Sequence, residues 1–230
     1  MTLAPEFKFI FVAGCLGVAI VSGLRCVSRR DWLCLVGGLG FTVLADWFLV
    51  LRHEHLLGVA AFCFAHVCYI ARVVQADCKE RSAYGTFPLP SAGIAEQFLA
   101  IQKKREDSWR RLCWVAAFVG FLVLWCVAVF TGNVVFMAGI YAVLFVINIF
   151  VNIKARRPKA NYYLVLAGLV LFALCDLNVM LFNLPRYMGV ARDFSSVFTL
   201  IWVFYLPSQV LLAVSALRFG EKPSALSAKN

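Results

Sequence analysis

Trp32–Leu51 reads WLCLVGGLGFTVLADWFLVL, and Tyr162–Phe182 reads YYLVLAGLVLFALCDLNVMLF. Each is an apolar run long enough to cross a bilayer as a helix, which takes about 20 residues. Each also carries one aspartate, Asp46 or Asp176. A carboxylate in hydrocarbon costs roughly 3 kcal/mol or more unless it is paired, hydrated or protonated. Acids inside such spans are therefore candidate functional residues, and two on different helices suggest a built site.

The rest of the chain has the same character. Of 230 residues, 63% are hydrophobic and 15% charged. Soluble domains lie nearer about 45–50% and 25%. The composition predicts an all-α, polytopic membrane helix bundle, one domain over residues 1–230. Seven spans emerge: Phe7–Leu24, Trp32–Leu51, His55–Val74, Leu112–Phe130, Asn133–Ile153, Tyr162–Phe182 and Phe194–Leu217. Phe7–Leu24 lacks a basic n-region and a small-residue cleavage site, so it reads as a retained helix rather than a signal peptide. Residues 75–111 form a long basic loop in which Ile94, Phe98 and Ile101 recur at helical spacing, compatible with an amphipathic surface helix.

Charge sets the orientation. With alternating spans, 18 of the 22 Lys and Arg residues fall on the side of the even-numbered span starts and the C-terminal tail. The positive-inside rule then places the N-terminus outside and the C-terminus in the cytoplasm. The net charge of +10 fits anionic lipid head groups at these loops better than nucleic acid, which is not expected as a partner. The nine cysteines contain no C-x-x-C pair, so no zinc knuckle or redox pair is indicated.

At 1.5 Å per residue, Asp46 and Asp176 both lie about 21 Å from the inner ends of their spans. Equal depth is what contact would require. His66, Tyr141 and Tyr205 come out near that level, while Tyr69 follows His66 by one turn. Asn178 follows Asp176; Asn148, Ser208 and Gln209 complete a polar seam. Each has a plainer reading: a lone His or Tyr in a span usually packs, and Asn or Gln often only joins helices. One His and two Asp are a thin ligand set, so neither a metal nor a cofactor is expected.

Span 2 into span 3 carries L-A-D46-W-F-L followed by G58-x-x-x-F62-x-x-A65-H66-x-x-Y69. Spans 5 and 6 carry Y141-A-V and L-A-G168-L-V-L-F172-A-L-C-D176, and span 7 carries Y205-x-x-x-Q209. This ordered set, spread over residues 32–215, resembles the YhhN-like family of integral-membrane lysoplasmalogenases. Ala45 and Cys175 stand where the family pattern has Gly and Ser, and the family usually has eight spans. The resemblance implies hydrolysis of the vinyl ether of a single-chain lysolipid, with release of a fatty aldehyde. It implies Asp46 and Asp176 as a general acid–base pair in a water-poor cavity. His66, Tyr69, Tyr141, Asn178, Tyr205 and Gln209 would line the substrate site. Vinyl-ether cleavage needs one neutral proton donor and one carboxylate, and paired carboxyls are a recurring way to supply both. A proton-coupled small-molecule transporter is the alternative, since intramembrane Asp and His also form relays. Against it, the sequence shows no clear inverted repeat.

Overall fold

The structure is a computed structural model. It describes residues 5–23, 29–84, 115–154, 159–188 and 195–215. Within these, the side chains of 5, 75–84, 159–162, 183–188 and 195–199 lie outside the description.

Every element among the described residues is helical. The order is α1 (Pro5–Ser22), α2 (Arg29–Asp46) with a π-helical turn (Trp47–Leu51), α3 (His55–Tyr84), α4 (Val115–Thr131), α5 (Val134–Lys154), α6 (Lys159–Met188) and α7 (Ser195–Val214). Four stretches are long and apolar enough to cross a membrane: Arg29–Leu51, His55–Val74, Val134–Lys154 and Tyr163–Phe182. Val115–Thr131 and Leu200–Val214 are shorter apolar helices. The seven helices match the seven expected spans in order. The main departure is α3, which continues ten residues past Val74 into the segment read as loop. The proposed surface helix around Ile94–Ile101 lies outside the described residues.

The outer faces explain the composition. Val119, Val123, Phe130, Val143, Val146 and Phe150 are all exposed. In water such a surface would be an aggregation liability, but against acyl chains it is the favoured one. The helices interlock in the order α1 on α2 and α7, α2 on α3, α3 on α5, and α6 on α7. The interior core includes Leu35, Leu39, Phe62, Leu169, Phe172 and Leu212. A smaller cluster of Ala60, Cys63, Ala128 and Met137 seats α4 and α5 on α3. Trp125 Nε1 donates to the Ala60 carbonyl across that contact, at 3.3 Å.

Two glycines shape the connections. Gly132 has φ +65°, a left-handed conformation that a Cβ disfavours. It ends α4, and Asn133 then caps α5 by accepting the Phe136 N–H on its side-chain oxygen at 2.9 Å. Gly58 sits where α3 crosses the π-helical turn. A Cβ there would run into the Leu49 side chain and come within 3.2 Å of the Ala45 carbonyl oxygen. Gly58→Val is therefore expected to push α3 away from the turn that follows Asp46. The loss should be about 1–3 kcal/mol, as for other overpacked contacts. A thermal melt of the purified variant in detergent, compared with wild type, checks this.

Candidate functional site

Asp46 is the last residue of α2 before the helix widens. The Arg52 N–H reaches back to the Trp47 carbonyl at 3.1 Å, and the Glu54 N–H to Phe48 at 2.8 Å. Such π-helical turns recur at functional positions, because the extra residue re-aims the side chains beside it. Asp46 is 4% exposed, and its Oδ2 accepts a hydrogen bond from the Tyr205 hydroxyl of α7 at 2.7 Å.

Asp176, on α6, is arranged in the same way. Its Oδ2 accepts from the Tyr141 hydroxyl of α5 at 2.6 Å, and it is half-buried rather than buried. Two Asp–Tyr units thus join four different helices. No hydrogen bond connects Asp46 to Asp176 among the described residues; each carboxyl has its own tyrosine. The cluster between them is aromatic. The Phe172 ring meets Tyr205 at 5.7 Å, Phe62 at 5.8 Å and His66 at 5.7 Å. Phe62 in turn meets Tyr141 at 6.0 Å. Cys175 is within electrostatic reach of both carboxyls.

His66 is fully buried on α3, against the rings of Tyr141 (5.0 Å) and Phe145 (4.9 Å). Its Nδ1 faces Asn148 Nδ2 of α5 at 3.0 Å, and its Nε2 has no hydrogen-bond partner among the described residues. The Tyr69 hydroxyl lies 3.4 Å from Thr42 Oγ1. Gln209 donates to Ser208 Oγ at 3.3 Å, and its buried Oε1 has no partner among the described residues. Asn178 is different. Its amide donates to the Leu174 carbonyl of its own helix at 2.6 Å, and among the described residues no hydrogen bond joins it to either carboxyl. Six of the eight candidate residues therefore gather about two centres: Asp46 with Tyr205, and Asp176 with Tyr141 and His66, while the Tyr69 ring meets His66 at 6.2 Å and turns its hydroxyl toward Thr42 of α2.

Sequence reasoning missed a second polar centre, at the far end of the bundle. Arg72 donates from Nε to Asp31 Oδ1 and from a terminal nitrogen to Asp31 Oδ2, both at 2.9 Å. It also donates to Ser215 Oγ at 2.8 Å and to the Ser215 carbonyl at 3.3 Å. Arg72, counted only toward the basic side of the chain, is 3% exposed and ties α2, α3 and the end of α7. Beside it lies a cleft with room for about one water molecule, lined by Tyr69, Arg72, Asn148, Asn152, Val165, Leu169 and Leu212. Lys8, at the start of the first span, is also buried, with Nζ 4.1 Å above the Trp202 ring. Nothing in the hydropathy pattern distinguishes these cations from loop charges at the span ends.

A helical membrane bundle with two tyrosine-bound intramembrane carboxyls defines the class. The chain matches the YhhN family model over residues 4–216, nearly its whole length, and it belongs to that family. No curated protein and no solved structure matches it.

Proposed function

We propose that this protein is a membrane-embedded hydrolase that cleaves the vinyl ether of lysoplasmalogen-type lysolipids. Family membership supports the hydrolase reading. The observation that carries the chemistry is the pair of intramembrane carboxyls, each hydrogen-bonded through one oxygen to a tyrosine and flanking one aromatic cluster.

In the proposed reaction, one aspartic acid protonates the β-carbon of the vinyl ether, leaving an oxocarbenium ion at the α-carbon. The other, as carboxylate, steadies that cation and takes a proton from the water that adds to it. The hemiacetal then breaks its C–O bond, giving a fatty aldehyde and the free glycerol hydroxyl. One water is consumed. Tyr205 and Tyr141 hold Oδ2 of each carboxyl, which leaves Oδ1 for the proton or the water. The half-buried position of Asp176 supports access of a single-chain lipid to that carboxyl. The tail would stay in the bilayer and the ether would reach the carboxyl level. The multi-pass orientation belongs to the same proposal, with the N-terminus outside and the basic loops on the cytoplasmic face of the cell membrane.

The direct test is aldehyde release from a lysoplasmalogen by purified protein in detergent. Activity is expected, and an inert protein across several vinyl-ether head groups would refute the reading. Tyr205→Phe and Tyr141→Phe each remove the hydrogen bond that orients one carboxyl group and leave the ring packing. Each is expected to lower kcat/KM about tenfold to a hundredfold, with little change in the thermal melt.

A further inference from the structure

A chain of hydrogen bonds fixes how the protons of His66 are placed. It starts at a group with no ambiguity, the backbone carbonyl of Asn148, which can only accept. The Asn152 side chain reaches it at 2.8 Å, so the atom there must be the amide nitrogen. The same Nδ2 lies 2.8 Å from the Asn148 side chain, which must present its oxygen in return. The other end of the Asn148 amide is then its nitrogen, a donor only. That nitrogen faces His66 Nδ1 at 3.0 Å, so Nδ1 accepts and carries no proton. A neutral imidazole has one N–H, and here it sits on Nε2.

That N–H is buried and has no hydrogen-bond partner among the described residues. His66 is fully buried, and so is Asn148, while Asn152 is 3% exposed. A buried donor left unmade is costly, and native interiors rarely keep one without a use. Three side chains on two helices have been set in order to present it. The ring packs on Tyr141, whose hydroxyl holds Asp176, so the imidazole is joined to that Asp–Tyr unit through one intervening ring.

We infer that Asn152 and Asn148 are positioning residues that lock His66 as a permanent hydrogen-bond donor, and that its Nε2–H is reserved for an oxygen of the bound lysolipid. This rests on the lysolipid reading of the site, and it gives His66 a binding role rather than a proton-transfer one.

The test uses the full-length protein, labelled with nitrogen-15 histidine and held in lipid nanodiscs. The chain has three histidines, and His53→Asn with His55→Gln leaves His66 as the only one observed. His53 has φ +56°, which Asn tolerates. The spectrum is expected to show a protonated Nε2 and a bare Nδ1. Adding a saturated alkyl lysophosphocholine, which has no vinyl ether to cleave, should shift Nε2 strongly. A protonated Nδ1, or an Nε2 indifferent to the probe, overturns the inference. Activity gives a second readout. His66→Leu is expected to lower kcat/KM about a hundredfold, and His66→Gln, which restores an N–H near the same place, to recover about tenfold of it. Asn148→Leu should mix the two tautomers in the wild-type background and cost about tenfold, but cost little beside His66→Gln, whose donor has no tautomer. Equal losses for His66→Gln and His66→Leu overturn the donor role. The tautomer and the probe response are read without turnover. If both appear and no aldehyde is released, the hydrolase reading fails and the donor assignment stands. If aldehyde is released while Nε2 carries no proton, the reverse holds.

Discussion

Asp46→Asn and Asp176→Asn should each cut aldehyde release by about a hundredfold to ten-thousandfold, the range of positioned general acids and bases. Asparagine keeps the shape of the side chain and an oxygen that can still accept from Tyr205 or Tyr141. The two tyrosine hydrogen bonds that join α2 to α7 and α5 to α6 therefore survive. What is lost is the ability to give or take a proton. A thermal melt close to wild type is expected beside the lost activity, and that combination separates chemistry from folding. Both singles should fall to a similar floor, and the double variant should fall little further. Residues that act as a unit are strongly non-additive. A chain whose aspartates only join helices would behave in the opposite way, with unchanged turnover and a shifted melt. Active, well-folded Asn variants would remove the acid–base proposal.

The elements were legible because a membrane imposes one strong rule. Every backbone polar group in hydrocarbon must be satisfied within its own helix, so apolar length alone marked the membrane-length stretches of α2, α3, α5 and α6, though not the ends of α3 and α6. The carboxyls stood out because an acid in such a run is costly. Their tyrosine partners did not. Tyr205 lies 159 residues from Asp46, and Tyr141 lies 35 from Asp176. Depth counting put them at the right level, but only packing decides which helix faces which. The π-helical turn after Asp46 was hidden for a related reason. WFLVL reads as helix, and the close approach of α3 to that turn at Gly58 is a contact between helices that no local pattern shows. Asn178 shows the limit of counting in the other direction. Two residues beyond Asp176 on a helix is about 200° around the axis, which is the far side, and its amide turns to its own backbone.

Arg72 and Asp31 lead to the second large effect. A guanidinium 3% exposed has almost no water to fall back on, so its stability depends on the carboxylate that meets it through two parallel hydrogen bonds. Asp31→Leu is expected to cost about 3–5 kcal/mol, the penalty for leaving a buried charge uncompensated. Arg72→Met should cost less, because the Asp31 side chain is 24% exposed and can recover some hydration. The double variant Asp31→Leu, Arg72→Met removes both charges together. It should regain much of the loss, since a buried ion pair replaced by apolar groups of similar size is often close to neutral. The ranking, with Asp31→Leu worst and the double variant better than it, is checked by thermal or SDS-induced unfolding of the three proteins in one detergent. The tie spans α2, α3 and the end of α7 beside the small polar cleft at Asn148 and Asn152. Its loss should therefore loosen that end of the bundle while leaving both Asp–Tyr units in place. If the double variant were instead the least stable of the three, Arg72 would owe its position to Ser215 and to packing rather than to Asp31.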